Sequence, residues 1–244
     1  MNTLGMHRFF LFLAIIFLFI TPTYAKVILW TWNRVDDLSF VEPHIAKIAA
    51  LAATFKITPQ YFKIEPRLNR FVTPQEGYKT AVFRLEIDQK VSVNNKMIQT
   101  IIENIHGMSK DAEEIQIDFD ATVSQRKLYK EILEHLNVKT SDQKVSMTAL
   151  ASWCVHDNWI DELPISHAVP MLYNMGRDGE LIKRAFSQFE GWRALKCRGH
   201  IGISLSELSN IPHKINLNDY EVHIFNSRPW TLQDYETIKK RMLL

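Results

Sequence analysis

Eight short segments of strand character, several followed by stretches of helical period, constrain this chain to a parallel sheet. The strand pattern occurs at 27–32, 53–57, 80–88, 115–120, 145–150, 168–173, 200–204 and 221–226. Parallel neighbours cannot be joined by a tight hairpin; they need crossovers, usually helical. Four crossovers are marked by apolar stripes at helical spacing. Met97, Ile98, Ile101, Ile102 and Ile105 form the first, with Gly107 placed to end it. Leu128, Tyr129, Ile132, Leu133 and Leu136 form the second, with Ser124 as N-cap. Leu181, Ile182, Ala185, Phe186 and Phe189 form the third. Leu232, Tyr235, Ile238 and Met242 form the last, opened by Thr231 and Asp234 at capping-box spacing. Eight strands in such alternation predict an α/β fold, a closed (β/α)8 TIM-type barrel, as one domain over 26–244. Residues 58–78, which hold Pro59, Pro66 and Pro74, show no helical period, and 205–220 hold at most a short turn. The barrel is therefore expected to be distorted, or to lack the helix after its second strand.

The segment 1–25 reads as a signal peptide. His7 and Arg8 precede an unbroken apolar run over 9–20, too short for a comfortable membrane span. Thr23 and Ala25 then flank Tyr24, which predicts cleavage after Ala25 and a periplasmic or secreted product. An uncleaved N-terminal anchor is the alternative; after cleavage no stable membrane span is expected. The whole chain carries a formal charge of +2, of which Arg8 supplies one. A near-neutral chain without a polybasic run lacks the footprint of a nucleic-acid binder. Export permits a disulfide between Cys154 and Cys197, the two cysteines. Barrel geometry argues against it, because one follows a strand's C-terminal end and the other precedes a strand's N-terminal end.

Strand parity suggests where chemistry could gather. In 115–120, Ile115, Ile117 and Phe119 oppose Gln116, Asp118 and Asp120. In 80–88, Ala81, Phe83, Leu85 and Ile87 oppose Arg84, Glu86 and Asp88; Ser146 and Thr148, and Gly202 and Ser204, follow the same rule. Helices cover a barrel's outside, so the apolar faces point outward and the polar sets converge inside. Arg84, Glu86, Asp118 and Asp120 then come within mutual reach. One carboxylate can be held ionised by Arg84 while crowding raises another, which gives a site both a base and a proton donor. An Arg84–Asp118 pair could equally be structural. Asp120 ends its strand, at the rim where barrel active sites sit. Glu207, Tyr173 and Asn226 fall at the same rim, as do Trp30, Trp32, Trp153 and Trp230, whose indoles suit sugar faces. His156 and His167 match no metal-site spacing, so neither a metal nor a cofactor is predicted.

Three stretches carry a family resemblance: 117–121 (Ile-Asp-Phe-Asp-Ala), 146–154 (Ser-Met-Thr-Ala-Leu-Ala-Ser-Trp-Cys) and 168–176 (Ala-Val-Pro-Met-Leu-Tyr-Asn-Met-Gly). They resemble an exported bacterial family described only as a domain of unknown function; 27–32 and 225–230 match it more loosely. The resemblance implies export and a glycosidase-like barrel, without implying an activity. The chain is also similar, over two motifs, to chitinase-type barrels, which carry Asp-x-Asp-x-Glu after the fourth strand and Met-x-Tyr-Asp/Asn on the sixth. Asp118-Phe119-Asp120 and Met171-Leu172-Tyr173-Asn174 fit these, but Thr122 stands where the catalytic glutamate belongs. The expected function is thus an exported glycoside hydrolase-like protein with Asp120 as acid. Glu207 or Asp118 would be its second carboxylate, Glu86 a further candidate acid, and Tyr173 a support for the sugar. Arg84, Asn226 and the four indoles would bind the glycan. The alternative is a non-catalytic barrel that binds a glycan or an envelope partner. An ester or amide hydrolase using Ser146, Ser204 or Cys154 is less favoured, because no nucleophile-elbow pattern surrounds them.

Overall fold

The computed structural model describes residues 27–188, 191–211 and 214–242. The expected signal peptide, and Phe189 of the third apolar stripe, lie outside the described residues. Eleven strands follow in order: β1 (Val27–Thr31), β2 (Asp36–Asp37), β3 (Ala46–Ile57), β4 (Phe62–Pro66), β5 (Phe71–Val72), β6 (Tyr78–Ile87), β7 (Glu114–Asp118), β8 (Lys144–Leu150), β9 (His167–Met171), β10 (His200–Ser204) and β11 (Glu221–Phe225). Strand β1 pairs in parallel with both β11 and β3, and this closes β1, β3 and β6–β11 into an eight-stranded parallel barrel of TIM type.

The helices are α1 (Asn95–Met108), α2 (Arg126–Lys139), α3 (Ala151–His156), α4 (Gly179–Gln188) and α5 (Leu232–Met242). No helix follows β1 or β3. In place of the second crossover, β4 folds back antiparallel onto the outer half of β3, and β5 pairs with β2. Among the described residues between β10 and β11, only 3-10 turns form. The helix caps follow local chemistry. Asn94 Oδ1 accepts the Met97 N–H at 3.0 Å to open α1, and Thr231 and Asp234 form the expected box before α5. Ser124 is not the cap of α2: it lies inside a 3-10 turn, Val123–Gln125, that runs into the helix. Thr122 precedes this turn, and Gln125 Oε1 accepts from both its N–H and its hydroxyl.

The apolar stripes lie where the helices meet the barrel. Ile98, Ile101, Ile102 and Ile105 of α1 and Tyr129, Ile132, Leu133 and Leu136 of α2 are buried there, against Phe83, Leu85, Ile115, Ile117 and Met147. The inside of the barrel holds a smaller apolar layer of Ile28, Trp30, Ala49, Leu51, Val82 and Phe225. Strand β3 serves both sides. A register shift between Leu51 and Ala53 turns the chain over, so Leu51 points inward while Ala53, Phe55 and Ile57 join the outer core.

The two cysteines are joined, contrary to the expectation from barrel geometry, with their Cα atoms 5.9 Å apart. Cys154 lies on α3, which leaves the C-terminal end of β8, while the turn Leu195–Cys197 packs against β9 short of the start of β10. The N–H groups of Arg193 and Ala194 both bond the Cys154 carbonyl, and Asp161 receives those of Leu195 and Lys196. The two segments therefore meet on the barrel's flank, not at its rims. No helix among the described residues is long and apolar enough to cross a membrane.

Candidate functional site

Inward parity stacks three layers in the barrel: a polar base, the apolar layer around Trp30, and a polar mouth at the C-terminal ends of the strands. The mouth opens on a cavity of about 610 Å³, a volume typical of small-molecule sites. Strand β7 places Asp118 at its floor and Asp120 at its exposed edge. The loop after β9 brings Tyr173 and Asn174, the turn after β10 brings Glu207, and Asn226 follows directly on β11. Trp32, just past β1, forms part of the wall.

Asp118 is 4 % exposed. Its Oδ1 accepts from Thr148 Oγ1 at 2.7 Å and its Oδ2 from Arg84 Nη1 at 3.1 Å. Burial raises the carboxyl's pKa, and the nearby Asp120 adds to the rise; Arg84 and Thr148 oppose it without cancelling it. Arg84 also bonds Glu86 at 2.9 Å and sits 5.9 Å from the centre of the Trp32 ring. Burial likewise pushes the Tyr173 phenol well above its usual value, helped by the field of Asp118 and Asp120. Glu207 Oε2 accepts the Asn174 N–H at 3.3 Å. Asn174 has φ of 50°, left-handed backbone that asparagine tolerates better than most residues. That turn aims its amide at the carboxylate. Asn226 is 5 % exposed; its Oδ1 accepts from the Arg228 N–H, while its Nδ2 has no hydrogen-bond partner among the described residues.

Of the residues expected at the site, Asp118, Asp120, Glu207, Tyr173, Trp32, Arg84 and Asn226 share this cavity. Glu86 does not line it. It faces an adjoining notch of about 170 Å³ with Arg84, Asp118 and Asp120, and lies 4.0 Å from Lys56. Three indoles are placed differently from expectation. Trp30 is fully buried in the inner layer, 4.3 Å from Phe225 between ring centroids. Trp230 is buried beneath the rim, its Nε1 donating to the Trp30 carbonyl at 2.7 Å. Trp153 packs outside the barrel against Trp159. All three ring faces are used up in packing. Parity could not show this, because indoles just past strand ends can as well plug the barrel as line its mouth. Met171, Met175 and Ile182 also line the cavity; in the sequence Ile182 belongs to an apolar stripe, and the two methionines carry only the resemblance over 168–176. Thr122, at the place of the chitinase glutamate, is absent from the lining and is engaged in the turn before α2.

The base holds a second polar cluster, in which ligand atoms of His167, His200, Glu221 and His223 lie within 4.8 Å of one another. These residues come from three successive strands, so no local spacing announces them.

No model of a known protein family matches the chain, and no curated protein matches its sequence. Among solved structures, the chain is similar to one described as "putative Chitinase A from Streptomyces coelicolor". The likeness has a TM-score of 0.52 at 12 % identity and covers 90 % of this chain and 95 % of that one. At that identity it speaks for the barrel fold.

Proposed function

We propose that the chain is an exported glycoside hydrolase-like protein that takes a glycan into the cavity at the barrel mouth. The observation that carries this reading is the convergence of Asp118, Asp120, Glu207 and Tyr173 on one open cavity of about 610 Å³. Asp120 and Glu207 are the pair assigned to proton transfer and to stabilising the sugar cation or activating water. Asp118, held by Arg84 and Thr148, positions the pair. Tyr173 supports the reacting ring, Trp32 offers a face to it, and the unpartnered Asn226 Nδ2 offers a donor. The likeness to a chitinase barrel supports a carbohydrate ligand. The basic start, the apolar run over 9–20 and the Cys154–Cys197 disulfide support a compartment outside the cytoplasm.

The test is hydrolysis of a glycan panel, read by release of reducing ends. Asp120→Asn and Glu207→Gln should each lower turnover about 10²–10⁴-fold with unchanged thermal midpoints. The engagement of Thr122 away from the cavity favours a second reading, a binding barrel without turnover. In that case the wild type hydrolyses nothing, binds glycans on an array, and loses binding with Trp32→Ala. Neither turnover nor glycan binding by the folded wild type would overturn both readings.

A further inference from the structure

We infer that the base of the barrel is a binding site for a divalent transition-metal ion of the zinc class, with His167 Nε2, His200 and the Glu221 carboxylate as ligands. His167 and His200 open β9 and β10, Glu221 opens β11, and His223 follows on the same inward face. The site lies at the other end of the barrel from the glycan cavity, with the Trp30 layer between them, so it stands independently of the function proposed above.

The hydrogen bonds identify which nitrogen is ready to bind. Ser166 Oγ lies 2.9 Å from the Val145 carbonyl and 3.0 Å from His167 Nδ1; with its proton on the carbonyl, it accepts from Nδ1. Neutral His167 then carries its proton on Nδ1 and a lone pair on Nε2. Nε2 is buried and has no hydrogen-bond partner among the described residues. It looks at Glu114 Oε1, 3.4 Å away, itself an acceptor from Ser146. In that tautomer two lone pairs face each other in a buried place, an arrangement that a cation resolves.

His223 plays a supporting part. Its Nδ1 accepts from Trp30 Nε1 at 3.3 Å, which leaves the proton on Nε2, 3.6 Å from Glu221 Oε1. At that distance Nε2 makes no hydrogen bond, and a small closure would let it hold the carboxylate as the outer partners of metal ligands do. His167 and His200 stack with centroids 3.7 Å apart. Their planes are 10° apart, so the lone pairs run side by side, and the rings must tilt out of the stack to bring ligand atoms to the separation of about 3.4 Å that bonds of about 2.1 Å to a tetrahedral zinc require. Two buried carboxylates, Glu114 and Glu221, face a single ammonium, that of Lys79, at 3.1 Å from both Glu221 oxygens. Lys79 and His200 keep 18 % and 19 % side-chain exposure, which leaves the base open to an entering ion.

The experiment uses the chain purified without a polyhistidine tag and stripped with a chelator. Zn²⁺ is titrated by calorimetry and Co²⁺ by its visible ligand-field absorption. The expected result is one ion per chain, with intense cobalt bands of low coordination number. His200→Gln and Glu221→Gln should each weaken binding about 10–100-fold. Lys79→Gln, which removes the competing ammonium, should tighten it several-fold. If the first two variants fail to fold by circular dichroism, the wild-type cobalt spectrum and Lys79→Gln decide. Absence of saturable binding to the folded wild type overturns the inference. So does binding that folded His200→Gln and Glu221→Gln leave unchanged, or that Lys79→Gln weakens.

Discussion

Replacing both cysteines by alanine removes the cross-link between the helix after β8 and the turn before β10. The bridged residues are 43 apart in sequence. Closing a loop of that size restricts the unfolded chain by about 13 cal/mol/K, or about 4 kcal/mol at room temperature. For a chain of this length that is a fall in the melting temperature of about 8–16 °C. Both sulfurs are fully buried in the outer core, so a mild reductant should leave the native protein untouched. Reduction in denaturant should reproduce the loss seen in the double variant. The measurement is a urea titration of the wild type, oxidised and reduced, beside Cys154→Ala/Cys197→Ala. Two free thiols in the denatured, unreduced wild type would refute the reasoning. So would a difference in unfolding free energy below about 1 kcal/mol, since the loop-closure argument leaves no room for so small an effect.

Asp118 should shape the pH dependence of stability. Its carboxyl holds a proton to higher pH in the fold than in the unfolded chain, so its contribution is full below the unfolded value of about 3.9 and is lost as pH rises through the folded value. Asp118→Asn lacks that loss and should gain on the wild type in denaturation midpoints as pH rises above about 4; a gap moving the other way would mean Arg84 dominates. Trp30→Ala should lower unfolding free energy by about 3–5 kcal/mol, because the indole is fully buried and bonds His223. A urea titration showing under about 1 kcal/mol would mean that the inner layer repacks around the loss.

The barrel was legible because seven of its strands alternate or run apolar between breakers and four crossovers keep a helical period. The first half of β3 was not. Residues 46–52 are rich in alanine, which neither alternates in polarity nor favours strands, and the register shift at Leu51 breaks the parity. Sequence parity did bring Arg84, Asp118 and Asp120 to one mouth, because a strand's two-residue period survives translation into three dimensions. The fate of the indoles was hidden, since position at a strand end says nothing about depth: Trp32 lines the cavity while Trp30, two residues earlier, seals the barrel. The disulfide was hidden too, because the ends of strands do not reveal that α3 and the turn before β10 meet on the flank between the two rims. The histidine cluster had no local signature, as its members are separated by whole crossovers.

Trp30 touches both ends of the molecule: its ring nitrogen reaches His223 below, and its carbonyl is held by Trp230 above. The plug it forms is an insulator. The apolar side chains of that disc separate the charged groups of the two chambers, while the Trp30 hydrogen bonds tie both to one mechanical spindle.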